Sequence, residues 1–326
     1  MTTLIVKQAG PLMSVQDLGR TGFVQMGVSA SGPMDEVAMR IANRLVGNPQ
    51  NHALIEFAVT GGQFEVDVPT SFAVTGGAAA VTVDGERVDG WASHVLLPGQ
   101  VLRIGALTNA IWGYLALSGG IETEPVLGSR STHLRSGLGG LDGRRLAPGD
   151  ALPLGTPADD PVVMPQRVLR LPLPRAAGPI RVIDGPQAGY FDAATWQQFL
   201  RGPFLVSGSR DRMAQILEGP PIRAAGGHDI VSDGTIMGSI QVPASGRPIV
   251  LMAERQTTGG YPKIATIASV DLQRLAQAMT GSLIRFKRVT QDQAEDLWIA
   301  RCRWLETACA SLDGDGDAGL AEGGRS

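Results

Sequence analysis

Short apolar runs broken by glycine and proline dominate the chain, and helical periodicity is confined to a few stretches. "SFAVTGGAAAVTVDGERV" (71–88) places two strand-like runs on either side of Asp84-Gly85. That pair predicts a tight hairpin, because Asp and Gly tolerate the positive φ angles of a two-residue turn. "LLPGQVLRIG" (96–105) and "RLAPGDALPLG" (145–155) share a leucine, Pro-Gly, a polar residue and an apolar strand. Each predicts a turn entering a strand of a barrel or sandwich. "RPIVLMA" (247–253) reads as a buried strand, and "IATIASVDLQRLAQAM" (264–279) as a strand running into a helix.

Helical spacing occurs in "MDEVAMRIANRLVG", where Met34, Val37, Ala38, Ile41, Ala42 and Leu45 share a face and Gly47 is a stop signal. "FDAATWQQFLRG" and "SVDLQRLAQAM" predict two further helices. Near the end, Ala294, Leu297, Trp298, Cys302, Leu305 and Cys309 recur at helical spacing, and Thr290 and Gln293 are spaced as a capping box. The balance is a mainly β chain with a few short helices and a C-terminal helix.

The 326 residues allow two domains, and 43% hydrophobic content allows a real core. A net charge of -3 lacks the basic signature of a nucleic-acid protein. No apolar run of about 18 residues is present, so no membrane span is expected, and "MTTLIVKQAG" lacks a signal-peptide pattern. Cys302 and Cys309, on one helix, have α-carbons about 10 Å apart, beyond the reach of a disulfide. Buried thiols in a reducing, cytoplasmic compartment are therefore expected. The Cys/His pattern of a metal site is absent, so no metal is expected. The Gly/Asp-rich end, 312–326, is expected to be a disordered tail.

Three weak echoes link the halves: "QDLGR" with "QTTGG", "RIANRLVGN" with "RLAQAMTGS", and "GSRST" with "GSRDR". Their order differs between halves, which suggests two related β-barrels with rearranged elements. The expected division is a first barrel region over 1–178 and a second, with the C-terminal helix, over 179–311.

Candidate chemistry centres on "ERQTTGGYPKIA", a polar, small-residue stretch between two apolar runs, as a binding loop on a rigid scaffold would be. Gln256 offers an amide, Thr257 and Thr258 hydroxyls, and Gly259 and Gly260 open backbone N–H groups, while Lys263 adds one cation. That set suits a small carboxylate, amide or phosphate. The same residues also suit a Gly-Gly turn with Tyr261 packed on it. In "GSRSTHLRSGLGG", Arg130 could grip an anion in two-pronged fashion or pair an Asp structurally. Asp17 with Arg20, and Asp211 with Arg210 and Arg212, favour local ion pairs that shape turns. No G-x-x-x-x-G-K-[ST] nucleotide loop and no Met-Lys-Met biotin-attachment sequence occurs.

"SVQDLGRTG", "SGPMDEVAMRIANRLVGN", "GSRSTHLRSGLGG" and "QTTGGYPKIATI", in this order, resemble the biotin-dependent carboxyltransferase-like family, whose members include proteins called allophanate hydrolase subunit 2, urea amidolyase-related protein and the 5-oxoprolinase C subunit. The resemblance runs from about Ile5 to about Val289. It implies two cyclophilin-like β-barrel subdomains and a Kip-type partner subunit. It further implies the C subunit of an ATP-dependent 5-oxoprolinase, which with subunits A and B opens 5-oxo-L-proline to L-glutamate. ATP would then serve the complex, and no biotin would be attached to this chain. The alternatives it implies are a carboxyltransferase acting on urea or a related amide, and a non-catalytic regulator binding a Kip-type kinase inhibitor. Under the resemblance, Gln256, Thr257, Thr258, Gly259, Gly260 and Tyr261 line the substrate site, Lys263 stabilises charge on the amide oxygen, and Arg130 is a second anion contact. Two departures stand out: Glu254 where the family shows Asp, and Ala214 where it shows Gly.

Overall fold

Alternating and all-apolar runs become strands wherever glycine, proline or Asp-Gly turns punctuate them. The computed structural model describes residues 2–173 and 177–312. The chain divides into two compact units. Unit 1 comprises the described parts of Met1–Leu18, Glu36–Leu173 and Arg301–Ser326; unit 2 comprises those of Gly19–Asp35 and Pro174–Ala300. The tail expected after Leu312 lies outside the described residues.

Unit 1 contains β1 (Thr2–Gln8), β2 (Ser14–Gln16), α1 (Glu36–Leu45), β3 (Leu54–Ala58), β4 (Gln63–Val66), β5 (Thr70–Thr75), β6 (Ala79–Val83), β7 (Glu86–Val88), β8 (Ser93–Leu96), β9 (Leu102–Leu107), β10 (Trp112–Leu117) and β11 (Ala151–Leu154). They form a six-stranded sheet, β11-β1-β4-β9-β6-β7, and a five-stranded sheet, β2-β3-β10-β5-β8. Val6, Phe64, Leu102 and Leu152 from the first and Val15, Phe57, Phe72 and Leu115 from the second share one buried core. Helix α1 packs on β5 and β10 through the face carrying Val37, Ala38, Ile41 and Leu45.

The turns follow their residues. Asp84 and Gly85 both have positive φ, 49° and 91°, as a two-residue hairpin turn requires. The two Pro-Gly turns are built alike. Gly99 and Gly149 have φ of 85° and 94°. Leu97 N–H donates to Gln100 Oε1 at 3.0 Å, and Ala147 N–H to Asp150 Oδ2 at 2.7 Å.

Unit 2 contains β12 (Ile180–Asp184), α2 (Ala193–Arg201), β13 (Phe204–Arg210), β14 (Ala214–Glu218), β15 (Asp233–Gly234), β16 (Ser239–Gln241), β17 (Ile249–Leu251), β18 (Thr258–Gly259), β19 (Lys263–Ile267), α3 (Leu272–Gln277), β20 (Leu283–Ile284) and β21 (Phe286–Arg288). Eight strands form one sheet in the order β20-β13-β14-β17-β16-β19-β12-β21. Its two edge strands, β20 and β21, are separated in sequence by Arg285 alone, so the sheet must curl into a nearly closed barrel. Phe199 of α2 stacks on Phe286 at 4.5 Å, which seals that seam with aromatic area. β15 and β18 form a separate two-stranded ribbon.

The C-terminal helix α4 (Gln291–Ser311) starts at the expected capping box: Gln293 N–H donates to Thr290 Oγ1 at 3.2 Å and Thr290 N–H to Gln293 Oε1 at 3.1 Å. Cys302 and Cys309 on it are not joined in a disulfide. The fold is mainly β with short helices and a C-terminal helix, the expected class. Among the described residues no helix is long and apolar enough to cross a membrane.

Candidate functional site

The segment from Gln256 to Tyr261 links β17 to β19 and is held by residues 230–235. Register pairs β18 with β15, Asp233 opposite Gly259 and Gly234 opposite Thr258. Thr235 N–H donates to Thr257 O at 3.0 Å, Ile230 N–H to Gly260 O at 2.8 Å, and the Thr235 hydroxyl to Gln256 O. Gln256, Thr257, Gly259 and Gly260 are half-buried, whereas Thr258 and Tyr261 are exposed.

Beneath this ribbon lies a polar cluster. Gln241 on β16 and Lys263 on β19 are register partners and share a face of the sheet. Gln241 Oε1 accepts from Gln256 Nε2 at 3.3 Å. A Cβ on Gly259 would lie 2.3 Å from Gln241 Nε2, so this glycine exists for space rather than for a left-handed backbone. Lys263 opens β19 and is only 1% exposed. Its ammonium donates to Asp233 Oδ2 at 2.9 Å, and Gln187 Nε2 donates to the same oxygen at 3.1 Å. Gln187 Oε1 in turn accepts the Lys263 backbone N–H at 3.1 Å. The Asp233 carboxylate is 48% exposed. Lys263 first, then Gln187 and the Gly234 N–H, hold its pKa below the ordinary carboxylate value.

Behind the loop, Glu254 and Arg212 form a buried ion pair, Nε to Oε1 at 2.6 Å. Arg212 Nη2 also donates to Gly32 O at 2.6 Å, and Glu254 N–H to Arg212 O at 2.8 Å. The loop therefore leaves a fixed point. Arg212 reaches across the sequence to Glu254, while Asp211 accepts the Met213 and Ala214 N–H groups at 2.7 and 3.0 Å. The local pairing expected within "SRDR" thus yields to a turn cap and a long-range bridge. Ala214 lies in β14 without positive φ, so the departure from glycine is accommodated.

The expected site residues from Gln256 to Lys263 come together in unit 2. Arg130 belongs to unit 1. Its Nη2 meets Glu122 Oε2 at 2.7 Å and its Nε donates to Thr123 O at 2.8 Å. Asp17 receives the Ser129 and Ser131 hydroxyls and the Arg130 N–H, each at 2.6 Å. The "QDLG" and "GSRST" motifs are thereby one structural knot. Sequence reasoning missed Asp233, Gln187 and Gln241. None of them stands in a recognisable motif, and only the pairing of β15 with β18 and of β16 with β19 brings Asp233 and Gln241 under the loop. Among the described residues no group of three or more His, Cys, Asp or Glu could hold a metal ion.

The chain belongs to the carboxyltransferase domain family, subdomains A and B, whose model matches residues 26–288. It is 40% identical over 294 residues to the 5-oxoprolinase C subunit of Escherichia coli, covering 89% of this chain and 93% of that one. It is 29% identical to the urea amidolyase of Saccharomyces cerevisiae over 96% of this chain but only 18% of that protein. Among solved structures, K. lactis urea amidolyase superposes with a TM-score of 0.85 at 27% identity over 94% of this chain and 20% of that one. The crystal structure of TTHA0988 gives 0.78 at 34% identity over 88% of this chain and about half, 56%, of that one.

Proposed function

We propose that this chain is the C subunit of a 5-oxoprolinase and that its Gln256–Lys263 segment binds the lactam. The observation that carries this reading is the likeness to the E. coli 5-oxoprolinase C subunit along nearly the full length of both chains. The site chemistry agrees with it. A planar amide fits neutral hydrogen-bonding groups such as those of Gln256, Thr257 and Thr258, and the charge that grows on its oxygen during ring opening calls for a nearby cation, Lys263. Ring opening adds the elements of water across the C–N bond: hydroxyl to the carbonyl carbon, hydrogen to nitrogen. In the assembled enzyme a Kip-type B subunit and a separate A subunit complete the machinery, and ATP is the co-substrate, its terminal phosphoryl group passing in the end to a second water to give ADP and phosphate. The complex co-expressed with both subunits should release L-glutamate from 5-oxo-L-proline only with ATP. No ATP-dependent glutamate from an intact complex would overturn the reading. A second reading, carboxyl transfer to urea or a related amide, draws support from the urea amidolyase superposition; urea-dependent consumption of carboxybiotin by the chain would favour it.

A further inference from the structure

The cluster under the ribbon is rich in donors and poor in acceptors. Lys263 Nζ has three N–H groups, and the Asp233 carboxylate takes one at 2.9 Å. Gln241 is 1% exposed, and its Nε2, fully shielded from solvent, has no acceptor. A buried donor without an acceptor is costly, and this one belongs to the register partner of a buried lysine whose ammonium has N–H groups to spare, so an oxygen is suited to the place between them. Gly259 is what lets the Gln241 amide reach that place, since a Cβ there would meet Nε2 at 2.3 Å. The cover over the cluster is the β15–β18 ribbon, two register pairs wide, whose Asp233 and Thr258 are exposed.

We infer that Gln241 is a substrate-binding residue, which with Lys263 forms a buried two-donor pocket for a carboxylate or amide oxygen. Asp233 keeps that pocket closed in the empty protein. An incoming oxygen takes the place of Asp233 Oδ2 on the Lys263 ammonium and accepts from Gln241 Nε2. When the incoming oxygen is a carboxylate's, the exchange keeps the buried ammonium paired and avoids the large cost of an unpaired buried charge; a lactam oxygen keeps it hydrogen-bonded, and that bond gains its full value as negative charge grows on the oxygen. The released Asp233 carboxylate returns to water on a ribbon edge that is already half exposed. The inference rests on the reading of this loop as the amide site and adds to it the groups that hold the oxygen.

Isothermal titration of the full chain with formate and with 5-oxo-L-proline tests it, using wild type, Gln241→Leu and Asp233→Asn. Wild type should bind formate saturably. Gln241→Leu should bind both ligands about tenfold more weakly, the loss of one charge-assisted hydrogen bond. Its melting midpoint should change little, because the gain from losing the unsatisfied Nε2 donor offsets the loss of the Gln256 Nε2 bond to Gln241 Oε1; a purely structural glutamine would move the midpoint well down instead. Should Gln241→Leu fail to fold, Gln241→Met, of similar length, is read the same way. Asp233→Asn should bind both ligands more tightly, because the resident competitor has lost its charge. No formate binding to wild type, unchanged binding by the Gln241 variant, or weaker binding by Asp233→Asn would each overturn the pocket. Formate following this pattern without 5-oxoproline binding would uphold the pocket and overturn the choice of 5-oxoproline as substrate.

Discussion

Gly259 shows how a residue can be readable in identity and misread in reason. In the sequence it offers a bare backbone to a ligand. In the structure its missing Cβ makes room for the Gln241 amide. Because the clashing atom is the tip of a flexible side chain, Gly259→Ala should displace that amide at small cost in stability. Gly259→Ala and Gln241→Leu should therefore weaken 5-oxoproline binding alike, and the double variant should be no worse than either single one. Additive losses in such a titration cycle would separate the two residues. Glu254 is the converse case. Its departure from Asp was visible, but its partner Arg212 lies 42 positions away and no local spacing pointed to it. Glu254→Ala strips a buried guanidinium of its carboxylate and should cost about 3–5 kcal/mol in urea unfolding. A loss below about 1 kcal/mol, the value of an exposed pair, would show that the pair does not anchor the loop.

Elements with a strong local signal were legible. The Asp84-Gly85 hairpin, both Pro-Gly turns, α1, α2 and the capped α4 follow from pattern and turn chemistry. β15 and β18 were not, because two residues carry no periodicity and their pairing joins stretches about 25 positions apart. The candidate site was accordingly half readable: the loop from one strand to the next, but not the ribbon that covers Lys263. Similar long-range ties fix the strand-to-helix passage. Asp271, just before α3, accepts from the Arg181 N–H and guanidinium of β12 at 2.6–2.8 Å, and Arg274 Nη1 lies 3.0 Å away. Burial alone would raise the Asp271 pKa, but Arg181 and Arg274 outweigh it and hold it below the ordinary 3.8. A depressed carboxylate stabilises the fold fully above its unfolded value and loses that contribution as pH falls through its folded one. Acid unfolding should therefore steepen below pH 3.8 in wild type. Asp271→Asn should melt lower at neutral pH and show a flatter profile in that acid window. Parallel profiles for the two proteins would remove Asp271 from acid stability.

For the whole molecule, barrel closure in unit 2 depends on edges that sequence does not mark: β20 and β21 become neighbours in sequence and opposite edges in the sheet. The family, by contrast, was legible from four motifs, because those motifs carry the loop, the Asp17 knot and α1, features that geometry constrains tightly. In the proposed reaction Lys263 meets the charge that develops on the amide oxygen. A cation that acts mainly in the transition state is lost mainly from kcat. The most direct measurement is the steady-state rate of ATP-dependent 5-oxoproline hydrolysis by the intact complex, with wild-type chain and with Lys263→Ala. Lys263→Ala should lower kcat by about 10²–10³ with assembly unchanged; equal kcat values from the two complexes would remove Lys263 from the reaction.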